Sequence, residues 1–223
     1  MTRKINNSYT LGQSNAPTTG GDMLKTRTDG TLVWEGVDDT TFVPVSHYGG
    51  RGLFGGGEPS GLTDTIDYIT IGSTGNAIDF GNLLEAKAYL DGTSNGTRGV
   101  WFGGFSTNKD VIQYITISTL GNTSDFGNLT VARYSACAVS DGTTGVAMGG
   151  LATSGDVDTM DYVTIATTGN ATDFGNTSVT RREAGACNSE VRGLMAGGYV
   201  ALNVIDYITI ATTGNSTDFG DLT

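Results

Sequence analysis

One phrase recurs four times along this chain, and it constrains the fold more than any single residue. Asp67-Tyr68-Ile69-Thr70-Ile71 returns as Gln113-Tyr114-Ile115-Thr116-Ile117, as Asp161-Tyr162-Val163-Thr164-Ile165 and as Asp206-Tyr207-Ile208-Thr209-Ile210. A Gly-Asn turn follows each copy, then Asp-Phe-Gly at Asp79, Asp125, Asp173 and Asp218, spaced 46, 48 and 45 residues apart. A period of this size points to a stacked or radial array of like supersecondary units, each too small to bury its own apolar face. Repeated positions then belong to the scaffold, and chemistry is expected where the copies differ.

Two further anchors frame the units. Arg-Gly-apolar-apolar-x-Gly-Gly spans Arg51 to Gly57, Arg98 to Gly104 and Arg192 to Gly198, with a variant lacking the Arg from Thr144 to Gly150. A basic residue stands seven positions after each of the first three Phe, as Lys87, Arg133 and Arg181. Tyr-Ile-Thr-Ile is β-branched and aromatic with period-two alternation. It predicts a strand with Tyr and Thr on one side and the two Ile on the other. Ser73-Thr74-Gly75-Asn76 and its copies read as turns. Phe80, Phe126, Phe174 and Phe219 read as buried knobs, one per unit, with the tyrosines partly buried beside them. A fourth strand is expected after each basic residue, as in Arg133 to Val139, ending at a turn such as Ser140-Asp141-Gly142-Thr143. Each unit thus offers four short strands in about 47 residues, the size of one propeller blade.

Composition agrees. Glycine is 35 of 223 residues and proline only 3, a turn-rich and strand-rich balance without the bias of helices. The formal net charge of −11 repels phosphate backbones, so nucleic acid is not an expected partner. No stretch approaches the ~18 apolar residues of a membrane span, so no membrane insertion is expected. The start, Met1 to Ser8, lacks the apolar run of a signal peptide, and export by that route is not expected. Cys137 and Cys187 lie 11 and 13 residues after Phe126 and Phe174. Both are expected on the same face of equivalent strands, as buried thiols and not as a disulfide or metal pair.

Gly-Gly, a Tyr-bearing strand, an aromatic and then a basic residue together resemble the kelch repeat of β-propellers, with Phe of Asp-Phe-Gly standing where that repeat usually carries Trp. The run from Asp161 to Gly175 further resembles the repeats of virion structural proteins from tailed phages of marine cyanobacteria. The resemblance covers roughly residues 49 to 223. It implies an all-β, kelch-like β-propeller-type array of four four-stranded repeats, and a structural role in the virion.

Residues 1–48 differ from the rest and read as an extended N-terminal arm or attachment segment, ahead of a kelch-like β-repeat domain at 49–223. Asn6 to Gly21 is polar and rich in small residues. Met23 to Glu35 reads as a strand, an Asp29-Gly30 turn and a second strand. Trp34, with Leu32 and Met23, is the expected contact with another virion protein of the capsid or tail. Thr41 to Ser46 is expected to supply the strand that follows Asp-Phe-Gly elsewhere and so to close the set.

The expected function is a non-enzymatic virion component: an appendage, fibre or decoration protein, made in the host cytoplasm and self-associating as a symmetric oligomer. The alternative is a module that binds host surface glycan through the loops after Gly-Gly, where Tyr199, Asn108 and Lys109 are the candidate ligand contacts. The only histidine, His47, has no partners for a nucleophilic set. Asp38-Asp39 and the Asn/Asp turns are too sparse for a calcium site. No phosphate-binding glycine loop appears. No catalytic residue, metal or cofactor is expected.

Overall fold

The alternating Tyr-Ile-Thr-Ile segments do form strands, and the chain around them is all-β. A computed structural model describes residues 23–26, 32–35, 50–107, 109–199 and 202–223. Among these there is no helix. The described residues fall into two units, within Met1–Val45 and Ser46–Thr223.

In the first unit, β1 (Met23–Thr26) and β2 (Leu32–Glu35) form an antiparallel hairpin in which Met23 pairs with Glu35, Trp34 with Leu24 and Leu32 with Thr26. Thr41 to Ser46 and His47 lie outside the described residues.

The second unit holds four larger antiparallel sheets. The first is β3 (Arg51–Gly55), β4 (Thr63–Thr70) and β5 (Ile78–Lys87). The second is β6 (Asp91–Ser94), β7 (Arg98–Phe102), β8 (Val111–Thr116) and β9 (Ser124–Asn128). After β10 (Arg133–Tyr134) comes the third, β11 (Cys137–Ser140), β12 (Thr144–Met148), β15 (Thr159–Thr164) and β16 (Thr172–Asn176). Between them, β13 (Leu151–Ala152) pairs with β10 and with β14 (Gly155–Asp156). The fourth is β17 (Gly185–Asn188), β18 (Arg192–Ala196), β19 (Val204–Thr209) and β20 (Thr217–Asp221).

Two expectations change here. The strand expected as one piece from Arg133 to Val139 is broken at Ser135, whose φ is 54°; its second half is the first strand of the following sheet. The first sheet, expected to be four-stranded, has three strands among the described residues. A cavity of about 680 Å³ opens beside β3, lined by Arg51–Gly56 and Leu90–Ser94.

Asp-Phe-Gly proves to be a β-bulge. In the third sheet Met160 pairs with Gly175 and Asp161 with Asp173, so Phe174 is the extra residue; the same shift recurs in the other three sheets. The bulge swings the ring out of the pleat. Glycine is required next for two reasons: φ at Gly127 is 147°, and a Cβ there would overlap the carbonyl oxygen of Gly169 in the next sheet. That oxygen belongs to the Gly-Asn turn, which docks on the bulge. Gly169 N donates to Phe126 O at 2.8 Å and Ala171 N to Asn128 O at 2.8 Å, while Asn170 Oδ1 accepts from Asn128 N at 3.1 Å. The turns at Gly121 and Gly214 do the same to the bulges at Phe80 and Phe174.

Among the described residues the apolar core is therefore not one body but three, each shared by successive sheets. Phe80, Leu83 and Ile66 of the first sheet meet Trp101 and Ile115 of the second. Phe126, Val100 and Phe102 of the second meet Val163 and Ile165 of the third. Phe174, Met148 and Val146 of the third meet Met195, Ile208 and Ile210 of the fourth. Each Phe ring also stands edge-on to the Tyr of its own sheet, with centroids 5.7 to 6.0 Å apart.

This arrangement corrects two burial expectations. Phe219 is 52% exposed, whereas Phe80, Phe126 and Phe174 are 2–3% exposed, because among the described residues no further sheet covers it. Cys187 is exposed for the same reason, although Cys137 is buried. Cys187 pairs with Leu194 as Val139 pairs with Val146, so it does share the face of Cys137 but on an uncovered sheet.

Candidate functional site

Two sets of side chains in the second unit depart from plain packing: buried charges between sheets, and aromatic rings on the loop side.

The three basic residues after Asp-Phe-Gly are fully buried. Arg133 Nη1 lies 2.7 Å from Asp161 Oδ2 in the next sheet, and Arg181 pairs with Asp206. The same aspartates accept from the residue four places after each Phe. Thr130 donates to Asp161 through N at 3.2 Å and Oγ1 at 2.5 Å; Ser178 donates to Asp206 through N at 3.1 Å and Oγ at 2.9 Å. Between the first and second sheets the pair changes on both sides. Gln113 replaces the aspartate and accepts from Leu84 N at 2.9 Å and Thr123 Oγ1 at 2.8 Å, while Lys87 donates to Gly103 O at 3.2 Å and lies 3.0 Å from Glu85. Asp161 and Asp206 thus each bind a backbone amide of the preceding sheet, in keeping with a scaffold role for repeated positions. Nothing in the sequence signalled that the basic residues are buried. Arg133 and Arg181 are paired across a junction and Lys87 reaches across one to a carbonyl, so the set acts as staples between sheets.

The loop side carries the rings. After each of the last three Gly-Gly anchors the chain pairs with the segment after the basic residue of the same junction: Phe105 with Ala88, Leu151 with Tyr134, and Tyr199 N donates to Arg182 O at 2.9 Å. The next residue in that segment has positive φ in every copy: Tyr89 (54°), Ser135 (54°) and Glu183 (56°). This left-handed kink, rare for residues other than glycine, carries Tyr89 out beside its neighbours. Ring centroids are 6.4 Å apart for Tyr89–Phe105, 6.2 Å for Tyr89–Tyr134 and 5.2 Å for Phe105–Tyr134. Lys109 Nζ sits 5.2 Å from both Phe105 and Tyr134. Tyr89 donates to Glu58 at 3.2 Å, and that carboxylate raises its phenol pKa. Beyond Glu183, Arg182 lies 3.7 Å over the Tyr199 ring and 2.5 Å from Asp156, which raises the guanidinium pKa further.

Of the ligand contacts expected from sequence, Lys109 and Tyr199 lie in these clusters, and Asn108 falls outside the described residues. Tyr89, Phe105 and Tyr134 were missed; Phe105, directly after Gly103-Gly104, could have been found by asking which copies carry a ring there. Met23, Leu32 and Trp34 lie on the β1–β2 hairpin. Among the described residues no group of three or more His, Cys, Asp or Glu side chains could hold a metal ion. Burial foremost pushes the Cys137 thiol up to about 12, so it stays protonated. No protein-family model and no curated protein sequence matches the chain.

Proposed function

We propose that this chain is a non-enzymatic structural protein of a virus particle, an appendage, fibre or decoration protein. In this reading residues 1–48 attach to other virion proteins through the hairpin bearing Met23, Leu32 and Trp34. Residues 49–223 form an open, β-propeller-type array of four kelch-like repeats that projects from the particle. The observation that carries the reading is the buried staple. Arg133–Asp161 and Arg181–Asp206 join one repeat to the next, a use of charge suited to a scaffold that must keep its repeats in register. The likeness of residues 161–175 to repeats of cyanobacterial phage virion proteins supplies the setting. The test removes residues 1–40. The truncated protein should keep its cooperative unfolding and fail to join particles, and normal incorporation would refute the attachment role. Hydrolysis of host polysaccharide by the pure full-length chain would overturn the non-enzymatic reading.

A second reading, binding of host surface glycan, is favoured by the rings on the loop side. Tyr89, Phe105 and Tyr199 are 52%, 38% and 49% exposed, and flat ring faces stack against the C–H faces of sugars. Calorimetric titration with host polysaccharide tests it. Binding that survives Tyr89→Ala and Tyr199→Ala together would place the contact elsewhere.

A further inference from the structure

Each internal junction has a trailing face, from the earlier sheet, and a leading face, from the later one. The first sheet keeps a leading face, and the fourth a trailing face, with nothing on it among the described residues. On the first sheet Phe54 and Ile71 are 60% and 64% exposed, while the residues at the place of Ile71 in later sheets, Ile117, Ile165 and Ile210, are 7%, 0% and 1% exposed. On the fourth, Phe219 and Leu222 are 52% and 47% exposed, against 3% and 6% for Phe126 and Leu129. Two apolar halves of one junction thus stand open at opposite ends of the array.

We propose that a second copy of this chain completes that junction, the fourth sheet of one copy docking on the first sheet of the next. The polar groups of the two ends correspond as they do inside the chain. Phe174 O and Asn176 O accept from Gly214 N and Ser216 N at 2.7 and 2.9 Å; Phe219 O and Asp221 O stand ready for Gly75 N and Ala77 N of the next copy. Asp67 has no basic partner among the described residues, and it occupies the place of Asp161, to which Thr130 donates. Thr223, four places after Phe219, occupies the place of Thr130. Arg51 Nη1 donates to Ile117 O and Arg98 Nη1 to Ile165 O, each at 2.9 Å. Arg192 holds the same pose over its own tyrosine, 4.6 Å from the ring centroid, and would reach Ile71 O of the next copy. Gly220, unlike Gly127 and Gly175, has nothing within 4 Å of where a Cβ would lie, which leaves room for the incoming Gly75-Asn76 turn. Such a contact joins unlike surfaces and is heterologous, the kind that builds rings or filaments and not two-fold dimers.

The exposed thiol provides the test. A Cβ built on Gly193 would lie 3.1 Å from Val139 Cβ across the third junction. Cys187 stands at the place of Val139, and Gly52 at that of Gly193. In a Gly52→Cys variant the new thiol should meet Cys187 of the preceding copy near the ~3.5–4.5 Å Cβ separation of a disulfide. Diamide, which takes two electrons and two protons from a thiol pair, should convert the full-length variant into a ladder of linked dimers and higher species. Adding Cys187→Ser should abolish the ladder. A disulfide within one chain, no cross-link, or equal cross-linking of the unmodified protein through Cys187 alone would each overturn the proposal.

A second measurement needs no cross-link. A Phe54→Glu/Ile71→Glu copy keeps only its trailing face, and a Phe219→Glu copy only its leading face. All three positions are exposed, so folding is spared. Each variant alone should sediment as a monomer, and their equimolar mixture should give a dimer. A mixture that stays monomeric, or either variant polymerising alone, would also overturn it.

Discussion

Phe174 and Phe219 occupy the same place in the same tripeptide, and replacing each by alanine separates the contribution of a junction from that of a sheet. Both rings stand 6.0 Å from the tyrosine of their own sheet, so Phe174→Ala and Phe219→Ala lose the same ring pair, about 0.5–1.5 kcal/mol. The rest differs. Phe174 is 3% exposed and packs with Met195 and Ile208 of the next sheet, so its removal leaves a cavity and should cost about 3–5 kcal/mol in all. Phe219 already leaves about half its surface in water. Its transfer contribution is about half of the ~1.5–3 kcal/mol for full burial, and no closed cavity forms. Its loss should total about 1–3 kcal/mol, below that of Phe174. Urea unfolding followed by far-ultraviolet circular dichroism, at a concentration low enough to keep copies apart, measures both. Equal losses, or a larger loss for Phe219→Ala, would refute the claim that the cores belong to junctions.

Four further outcomes are expected. Arg133→Met should cost about 3–5 kcal/mol by leaving Asp161 buried and unpaired, and adding Asp161→Leu should recover much of it, as a double-mutant cycle in urea would read. Gly127→Ala should cost well over the ~1 kcal/mol of backbone strain alone, because its methyl group meets the Gly169 carbonyl; Gly220→Ala, with φ of 137° and open space, should cost only that strain in a thermal melt. Burial foremost raises the Asp91 pKa, so the folded state favours the protonated form. That stability is present below the unfolded carboxyl range near pH 3.9 and is lost as pH rises through the folded value; the stability of Asp91→Asn relative to the parent should therefore improve from pH 3 to pH 7 in urea titrations. At a concentration low enough to keep copies apart, a thiol-reactive disulfide reagent should label Cys187 at once and Cys137 only on unfolding, since Cys137 is buried with its thiol at about 12.

The strands, the turns and the four-fold period were legible because they are set by local chemistry: β-branched alternation, a glycine that must take positive φ, and anchors repeated at fixed spacing. The bulge was not, since Asp-Phe-Gly reads equally well as a strand end. The fates of Phe219 and Cys187 were hidden for a different reason. Their neighbours in sequence match those of buried counterparts, and only a sheet 40 residues away in the other copies decides burial. Lys87, Arg133 and Arg181 were misleading in their own way. A charged residue at a strand end usually faces water, and the aspartate that stabilises it inside lies 28 residues on for Arg133 and 25 for Arg181. The loop-side rings came together through a kink at Tyr89, Ser135 and Glu183, three dissimilar residues whose identities carry no common signal for positive φ.

Because every junction is made from the trailing face of one sheet and the leading face of the next, the natural unit of inheritance is the span between equivalent points and not the sheet itself. Unequal crossing-over within the coding sequence, at matching positions, would remove or add one whole span of 45 to 48 residues and leave the backbone contacts between bulge and turn with partners of the same kind. The bulge glycine and the Gly-Asn turn that rests on it would simply meet new neighbours of the same design. The number of spans can then change in a single genetic step, without a poorly folded intermediate length, and the reach of the array becomes a quantity that recombination sets faster than point substitution.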